Sequence, residues 1–178
     1  MKKYEIRYGA VGGQGIITAG ALLVDIAVER ENRYALESPT YTAAVRGGPT
    51  KVDVIIDDEP IVFPHAVAVD FFLCTDQRPY DLYRERIKEN AIVVIDPHLV
   101  KKLGNTHNWH IYEIPIINET KKNVGNVVLT SVISLAITQK ITNIINYDNM
   151  VEHIRHWAPK GMEDLNLKAI EVGINLVK

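Results

Sequence analysis

The sequence contains a single cysteine, Cys74, among 178 residues. One thiol excludes a disulfide within the chain, and it cannot supply a four-cysteine iron–sulfur ligand set. A chain without disulfides suits a reducing compartment, so the expected location is cytoplasmic. A basic excess is missing as well. The formal net charge is -2, which gives no phosphate-neutralising surface and no reason to expect a nucleic-acid partner. Long apolar runs are also lacking. The longest uncharged stretch, Val124 to Gln139, is broken by Asn126, Thr130, Ser131, Ser134 and Thr138. It falls short of the roughly 20 apolar residues that span a bilayer, and no membrane partner is expected. Met1-Lys2-Lys3-Tyr4-Glu5 leads straight into strand-like sequence with no apolar signal core. Repeats, low-complexity tracts and Pro/Gly/Ser linkers are absent. The expectation is one soluble domain over residues 1–178.

Strand-like runs recur at Glu5–Tyr8, Arg33–Leu36, Lys51–Ile56, Ala68–Cys74, Ala91–Ile95 and His110–Ile114. Several are short, β-branched and apolar, as expected of strands covered on both faces. Helical patterns lie between and after them. One covers Ile16 to Glu29, and another covers Pro79 to Glu89 with proline in its first turn. Met162, Leu165, Ala169, Val172 and Leu176 step by three and four and form one apolar stripe near the C-terminus. Val127 to Ile141 is apolar around most of its girth and must be covered on most sides, by this domain or by a partner. Strands alternating with helices predict an α/β three-layer sandwich with a largely parallel or mixed central sheet. Ligands in such sheets gather at the carboxyl ends of the strands.

Two loops draw attention. Gly9-Ala10-Val11-Gly12-Gly13-Gln14-Gly15 leaves the first strand and enters a helix. Its glycines permit a sharp turn and a close backbone approach, and the helix start offers unpaired N–H groups to an anion. Gly9, Gly12 and Gly15 are spaced by three, unlike the Gly-x-Gly-x-x-Gly dinucleotide fingerprint, and no Walker Lys-Ser/Thr follows. A ligand-free strand-to-helix turn is the plain alternative. Glu37 to Thr50 is long for a connection between two strands. It holds Arg46-Gly47-Gly48, a guanidinium beside accessible backbone N–H groups, suited to a carboxylate or phosphate. Glu37 or Asp53 can instead hold Arg46 in a structural ion pair.

Together these loops resemble the gamma domain of 2-oxoacid:ferredoxin oxidoreductases. The resemblance rests on Gly12-Gly13-Gln14-Gly15-Ile16, on Arg46-Gly47-Gly48-Pro49-Thr50-Lys51-Val52-Asp53, and on the strand that continues to Ile61. It extends through Asp70–Leu73, Ala91–Asp96, Val124–Leu129 and Lys160–Ala169, and so covers nearly the whole chain. Within the family the Arg-Gly-Gly-Pro-Thr-Lys-Val-Asp segment is most similar to 2-oxoglutarate-type subunits. Pyruvate, branched-chain and indolepyruvate enzymes share the architecture. Many relatives read Ser-Tyr-Gly-Pro-Glu before the Arg-Gly-Gly, where this chain has Thr40-Tyr41-Thr42-Ala43-Ala44.

The resemblance implies a gamma subunit without a redox centre of its own. It implies alpha and beta subunits, a ferredoxin-like delta subunit, and ferredoxin or flavodoxin as acceptor. Thiamine diphosphate, magnesium, iron–sulfur clusters and coenzyme A would act on or between the other chains. No catalytic or metal-ligating residue is expected here. Gly12, Gly13, Gln14, Gly15, Arg46, Gly47 and Gly48 are the candidate cofactor-facing set. Two further classes compete: a stand-alone Rossmann-type nucleotide binder using Glu37 for a ribose, and a pure assembly module. His153 with His156, and His107 with His110, have metal-like spacing but no completing ligand. Cys74 ends an apolar strand and reads as an inert core thiol. Asp96-Pro97-His98 reads as a strand end, and Asp57-Asp58-Glu59 as a solvated turn.

Overall fold

The computed structural model describes residues 3–40 and 47–178. Six strands form one sheet: β1 (Tyr4–Val11), β2 (Tyr34–Thr40), β3 (Pro49–Asp57), β4 (Val69–Cys74), β5 (Ile87–Ile95) and β6 (His110–Glu113). Their order is β2-β3-β1-β4-β5-β6. β1, β4, β5 and β6 run parallel, whereas β3 pairs antiparallel with both β1 and β2. The sheet is therefore mixed. The helices are α1 (Ile16–Glu29), α2 (Gln77–Tyr83), α3 (Ile116–Asn123), α4 (Thr130–Thr142), α5 (Tyr147–Trp157) and α6 (Glu163–Leu176), with a 3-10 turn at Val127–Leu129.

Period-two alternation sorts the strands' side chains between two layers. Ile6, Tyr8 and Ala10 of β1, Val52, Val54 and Ile56 of β3, and Phe71 and Leu73 of β4 face one core together with α1, α4, α5 and α6. Helix α1 buries Ile16, Ala19, Leu22, Leu23 and Ile26 against it, a stripe at helical spacing. The opposite face carries Phe72, Cys74, Val93 and Ile95 under Tyr80 of α2, Val100 and Trp109. The result is three layers of unequal thickness, one rich in helices and one built from α2 and coil.

Helix α4 settles the question its girth raised. Thr130 through Gln139 are all buried within this chain, so its own domain covers it. Several hydroxyls on α4 find internal acceptors: Thr130 bonds the Val127 carbonyl, Ser131 that of Val128, and Thr138 that of Ser134. Tyr8 donates to Thr138 Oγ1 at 2.9 Å and joins the sheet to this helix.

Two local expectations are corrected. The helix expected over Pro79 to Glu89 stops at Tyr83, because Arg86 turns left-handed (φ 66) and the chain enters β5 at Ile87. The expected Glu37–Thr50 loop is shorter, because pairing with β3 holds Glu37 through Thr40 as strand.

Charged residues occupy the thin face of β1 and β3. Arg7 makes a paired contact to Asp53, Nε to Oδ1 at 2.6 Å and Nη2 to Oδ2 at 2.9 Å. Its Nη1 donates to the Tyr83 and Glu85 carbonyls, both at 2.8 Å. Lys51 adds a 2.5 Å contact to Asp53 Oδ2. Arg7 and Asp53 are both buried. Removing one partner strands the other's charge, so Asp53→Leu should cost roughly 3–5 kcal/mol. The double variant Arg7→Met/Asp53→Leu should recover much of that loss. Urea unfolding of both variants checks this, and equal losses would contradict the pairing argument.

Candidate functional site

The antiparallel register of β1 and β3 places Val11 opposite Pro49. That pairing brings the glycine turn after β1 beside the residues that lead into β3. The Gly12 N–H donates to the Gly48 carbonyl at 2.9 Å, and Thr50 Oγ1 donates to the Ala10 carbonyl at 3.1 Å. Gly12, Gly13, Gln14 and Gly15 thus share one end of the sheet with Gly47 and Gly48. Arg46, the charged member of the expected set, lies outside the described residues, as do Tyr41 through Val45.

Gly15 is held in a left-handed conformation (φ 72) and caps α1 through its backbone alone, with no side-chain hydrogen bond. A Cβ there would come within 2.6 Å of the Val128 carbonyl oxygen. No acidic side chain occupies the first turn of α1. The positive end of that helix therefore meets no compensating carboxylate from its own first turn. Val11, Gly12, Ile16, Thr50 and Val128 help line a cleft of ≈ 340 Å³ at this point.

Sequence reasoning missed one participant. Thr75, fully buried at the end of β4, donates its N–H to the Gly9 carbonyl at 3.1 Å and its hydroxyl to Gln14 Oε1 at 2.6 Å. The buried hydroxyl spends its proton on the amide oxygen, and the Gln14 NH2 group keeps its own N–H donors. The cleft is lined by backbone, aliphatic groups and threonine hydroxyls. None of these is a nucleophile activated by a neighbouring base. Among the described residues, the arrangement offers groups that can orient an acceptor-rich group and includes no acid or base.

The other candidates take structural roles. Asp53 is occupied by Arg7 and Lys51. Asp96 is buried and accepts the N–H groups of His98 and Ile117, which fixes the start of α3. Cys74 is buried, its Sγ bonds the Asp76 carbonyl, and burial pushes its thiol far above the usual range. Such a thiol does not fit a cluster ligand. His153 is buried, with its pKa lowered chiefly by desolvation, while His156 is exposed and bonds the Glu152 carbonyl. Among the described residues no three His, Cys, Asp or Glu side chains gather as a metal ion would require. No helix among them is long and apolar enough to cross a membrane. Glu37, the ribose candidate, is not among the residues lining the cleft. It sits on the edge strand β2, which pairs only with β3 and antiparallel to it.

The model for the pyruvate ferredoxin/flavodoxin oxidoreductase family matches residues 5–176. The chain belongs to this family. It is 34% identical over 176 residues to the 2-oxoglutarate synthase subunit KorC of Methanocaldococcus jannaschii, covering 98% of this chain and 94% of that one. Pyruvate synthase and ketoisovalerate oxidoreductase subunits of Methanothermobacter marburgensis are also related, at 25% and 23% identity. Among solved structures, the gamma subunit of a keto/oxoacid ferredoxin oxidoreductase from Geobacter sulfurreducens superimposes with a TM-score of 0.88. It shares 29% identity and covers 99% of this chain and 97% of its own. The 2-oxoglutarate:ferredoxin oxidoreductase of Magnetococcus marinus, solved with 2-oxoglutarate, coenzyme A and succinyl-CoA, shares the fold at a TM-score of 0.84 and 20% identity. The match covers 99% of this chain and 31% of that one.

Two outcomes follow from this geometry. A Cβ at Gly15 meets both a positive φ and the Val128 carbonyl, whereas Gly13 (φ 97) has no atom within 4 Å of its Cβ position. Gly15→Ala should therefore destabilise more than Gly13→Ala, which carries a backbone penalty of about 1 kcal/mol. Thermal unfolding of both variants tests the order. Separately, burial, reinforced by the charge of Asp25, pushes the Glu37 carboxyl up, and its Oε2 has no hydrogen-bond partner among the described residues. A raised acid favours folding when protonated, and that contribution is lost as pH rises through its folded value. Glu37→Gln should unfold at a higher temperature than wild type at about pH 8, with the two converging near about pH 4.

Proposed function

We propose that this chain is the gamma subunit of a 2-oxoglutarate:acceptor oxidoreductase, and that its glycine cleft faces coenzyme A at the boundary with the other subunits. The complex would convert 2-oxoglutarate and coenzyme A to succinyl-CoA and carbon dioxide. The two electrons released would pass to ferredoxin or flavodoxin. The observation that carries this reading is a glycine-lined cleft at a helix start that, among the described residues, holds no acid, base or nucleophile. It is built from Gly12, Gly13 and Gly15 of the turn and the first residues of α1, with the intervening Gln14 held by the Thr75 hydroxyl. Such a surface suits the phosphates or amides of coenzyme A, which it would grip through backbone and amide N–H groups. Arg46, next in sequence to Gly47 and Gly48, would add a paired donor.

The chemistry belongs to groups on other chains. Thiamine diphosphate with magnesium supplies the carbanion step, and iron–sulfur clusters take the electrons singly. The described residues fit neither group: the sole thiol is buried, and no metal-holding cluster forms among them. Alpha and beta subunits, with a ferredoxin-like delta subunit, would carry these groups. The identity to the KorC subunit over 98% of the chain supports 2-oxoglutarate as substrate. The pyruvate and ketoisovalerate relatives keep those two acids as the second reading.

The complex purified through a tag on this chain should contain thiamine diphosphate and iron and reduce ferredoxin with 2-oxoglutarate and coenzyme A. Gln14→Ala and Arg46→Ala should each raise the KM for coenzyme A by roughly tenfold, the loss expected for one charge-assisted hydrogen bond. An unchanged coenzyme A KM in both variants would refute the cleft's role. Turnover of 2-oxoglutarate by the lone chain would refute the subunit role.

A further inference from the structure

We infer that the thin side of the sheet is a docking surface for a partner subunit, which places an acidic side chain in a basic cleft rimmed by Phe63 and Leu82. The inference rests on the proposed subunit role and goes beyond it by naming the surface and the chemistry it takes.

Three observations carry it. First, exposed apolar side chains concentrate there. Phe63 is 54% exposed, Val67 48% and Leu82 57%. Soluble surfaces tolerate scattered apolar residues, but a contiguous group marks an interaction site. These residues are neighbours. Phe63 packs edge-on to His65 with ring centroids 5.4 Å apart, and His65 and Leu82 both line the same cleft. Second, the loop that presents Phe63 and Val67 is anchored at its end. The Glu5 carboxylate accepts the N–H groups of Val67 and Ala68, each at 2.7 Å. A held loop loses less freedom on binding than a loose one.

Third, the cleft has the charge to select its occupant. It measures ≈ 250 Å³ and is lined by Arg7, Lys51, His65, Tyr83 and Arg86, among others. Arg7 and Lys51 both bond the one carboxylate of Asp53. Counting Arg86 with them, and Glu85 with Asp53, three cations stand against two carboxylates. Arg7 is nearly saturated by Asp53 and by the Tyr83 and Glu85 carbonyls. Lys51 and Arg86 therefore hold the donors still available. The complement is an apolar protein segment that carries an aspartate or glutamate. The surface also joins the glycine site, since Tyr83 Oη donates to the carbonyl of Pro49, the residue opposite Val11. A subunit seated here would lie next to the cleft it helps complete. A fold like this one makes up 31% of the Magnetococcus chain, whose remaining polypeptide is its covalent neighbour.

The test uses the complex purified through a tag on this chain, diluted and followed by mass photometry. Phe63→Asp with Leu82→Asp, and separately Arg86→Glu, should each weaken association by at least about tenfold. Trp157→Asp, on the helix-rich side, should leave it unchanged, and thermal unfolding of each full-length variant chain should match wild type. Wild-type association of the patch variants overturns the inference while the subunit role stands. A wild-type complex without thiamine diphosphate or iron fails the subunit role whatever the patch does. Self-association of the wild-type chain, dispersed by the same substitutions, would make a second copy the occupant and overturn the inference. Stabilisation of the chain by inorganic phosphate, abolished by Arg86→Glu while assembly persists, would make the cleft a small-anion site and overturn it too.

Discussion

The pairing of β1 with β3 is the constraint on which this molecule's architecture turns. A wholly parallel sheet would deliver only the carboxyl ends of strands to one edge. Here the antiparallel β3 begins where β1 ends, with Val11 opposite Pro49. Two glycine-bearing turns distant in sequence are thereby fixed to each other through Gly12 and Gly48. The same pairing sets Arg7 opposite Asp53 on the other face of the same two strands. One register thus positions both the cleft and the buried charge pair beneath the thin layer.

The two sides of the sheet are built for different tasks. On one side, α1, α4, α5 and α6 enclose a continuous apolar core, and most hydroxyls of α4 bond carbonyls of its own turns. On the other, a seven-residue helix and coil segments cover the sheet, and polar pairs replace much of the aliphatic packing. Apolar burial is the main source of stability in a domain of this kind. Stability therefore resides mostly on the helical side, which leaves the thin side free to present specific surface features.

Much of this was legible in the sequence because it rests on periodicity. The six strand-like runs fall on the six strands, and the α1 stripe begins at Ile16 as the glycine turn implied. The girth of α4 announced full burial but could not say what would cover it, since coverage is a tertiary fact. The end of α2 was misplaced because Arg84 to Arg86 carry no local stop signal, and the left-handed turn at Arg86 is imposed by entry into β5. At the site, the glycines were visible as a turn that permits close approach. Thr75 was not, because a threonine after an apolar strand is unremarkable until topology sets it against Gln14. The Arg7–Asp53–Lys51 group left a signal that could have been used. Charged residues alternate with apolar ones in both Glu5–Tyr8 and Lys51–Val54, the pattern of a strand with one polar face.

Cys74 lies at the end of β4 with no accessible surface, beneath Gly9 and beside Phe72. Its sulfur cannot be reached by an oxidant, an electrophile or another thiol while the sheet is intact. The folded polypeptide therefore presents no thiol that could form an adventitious cross-link.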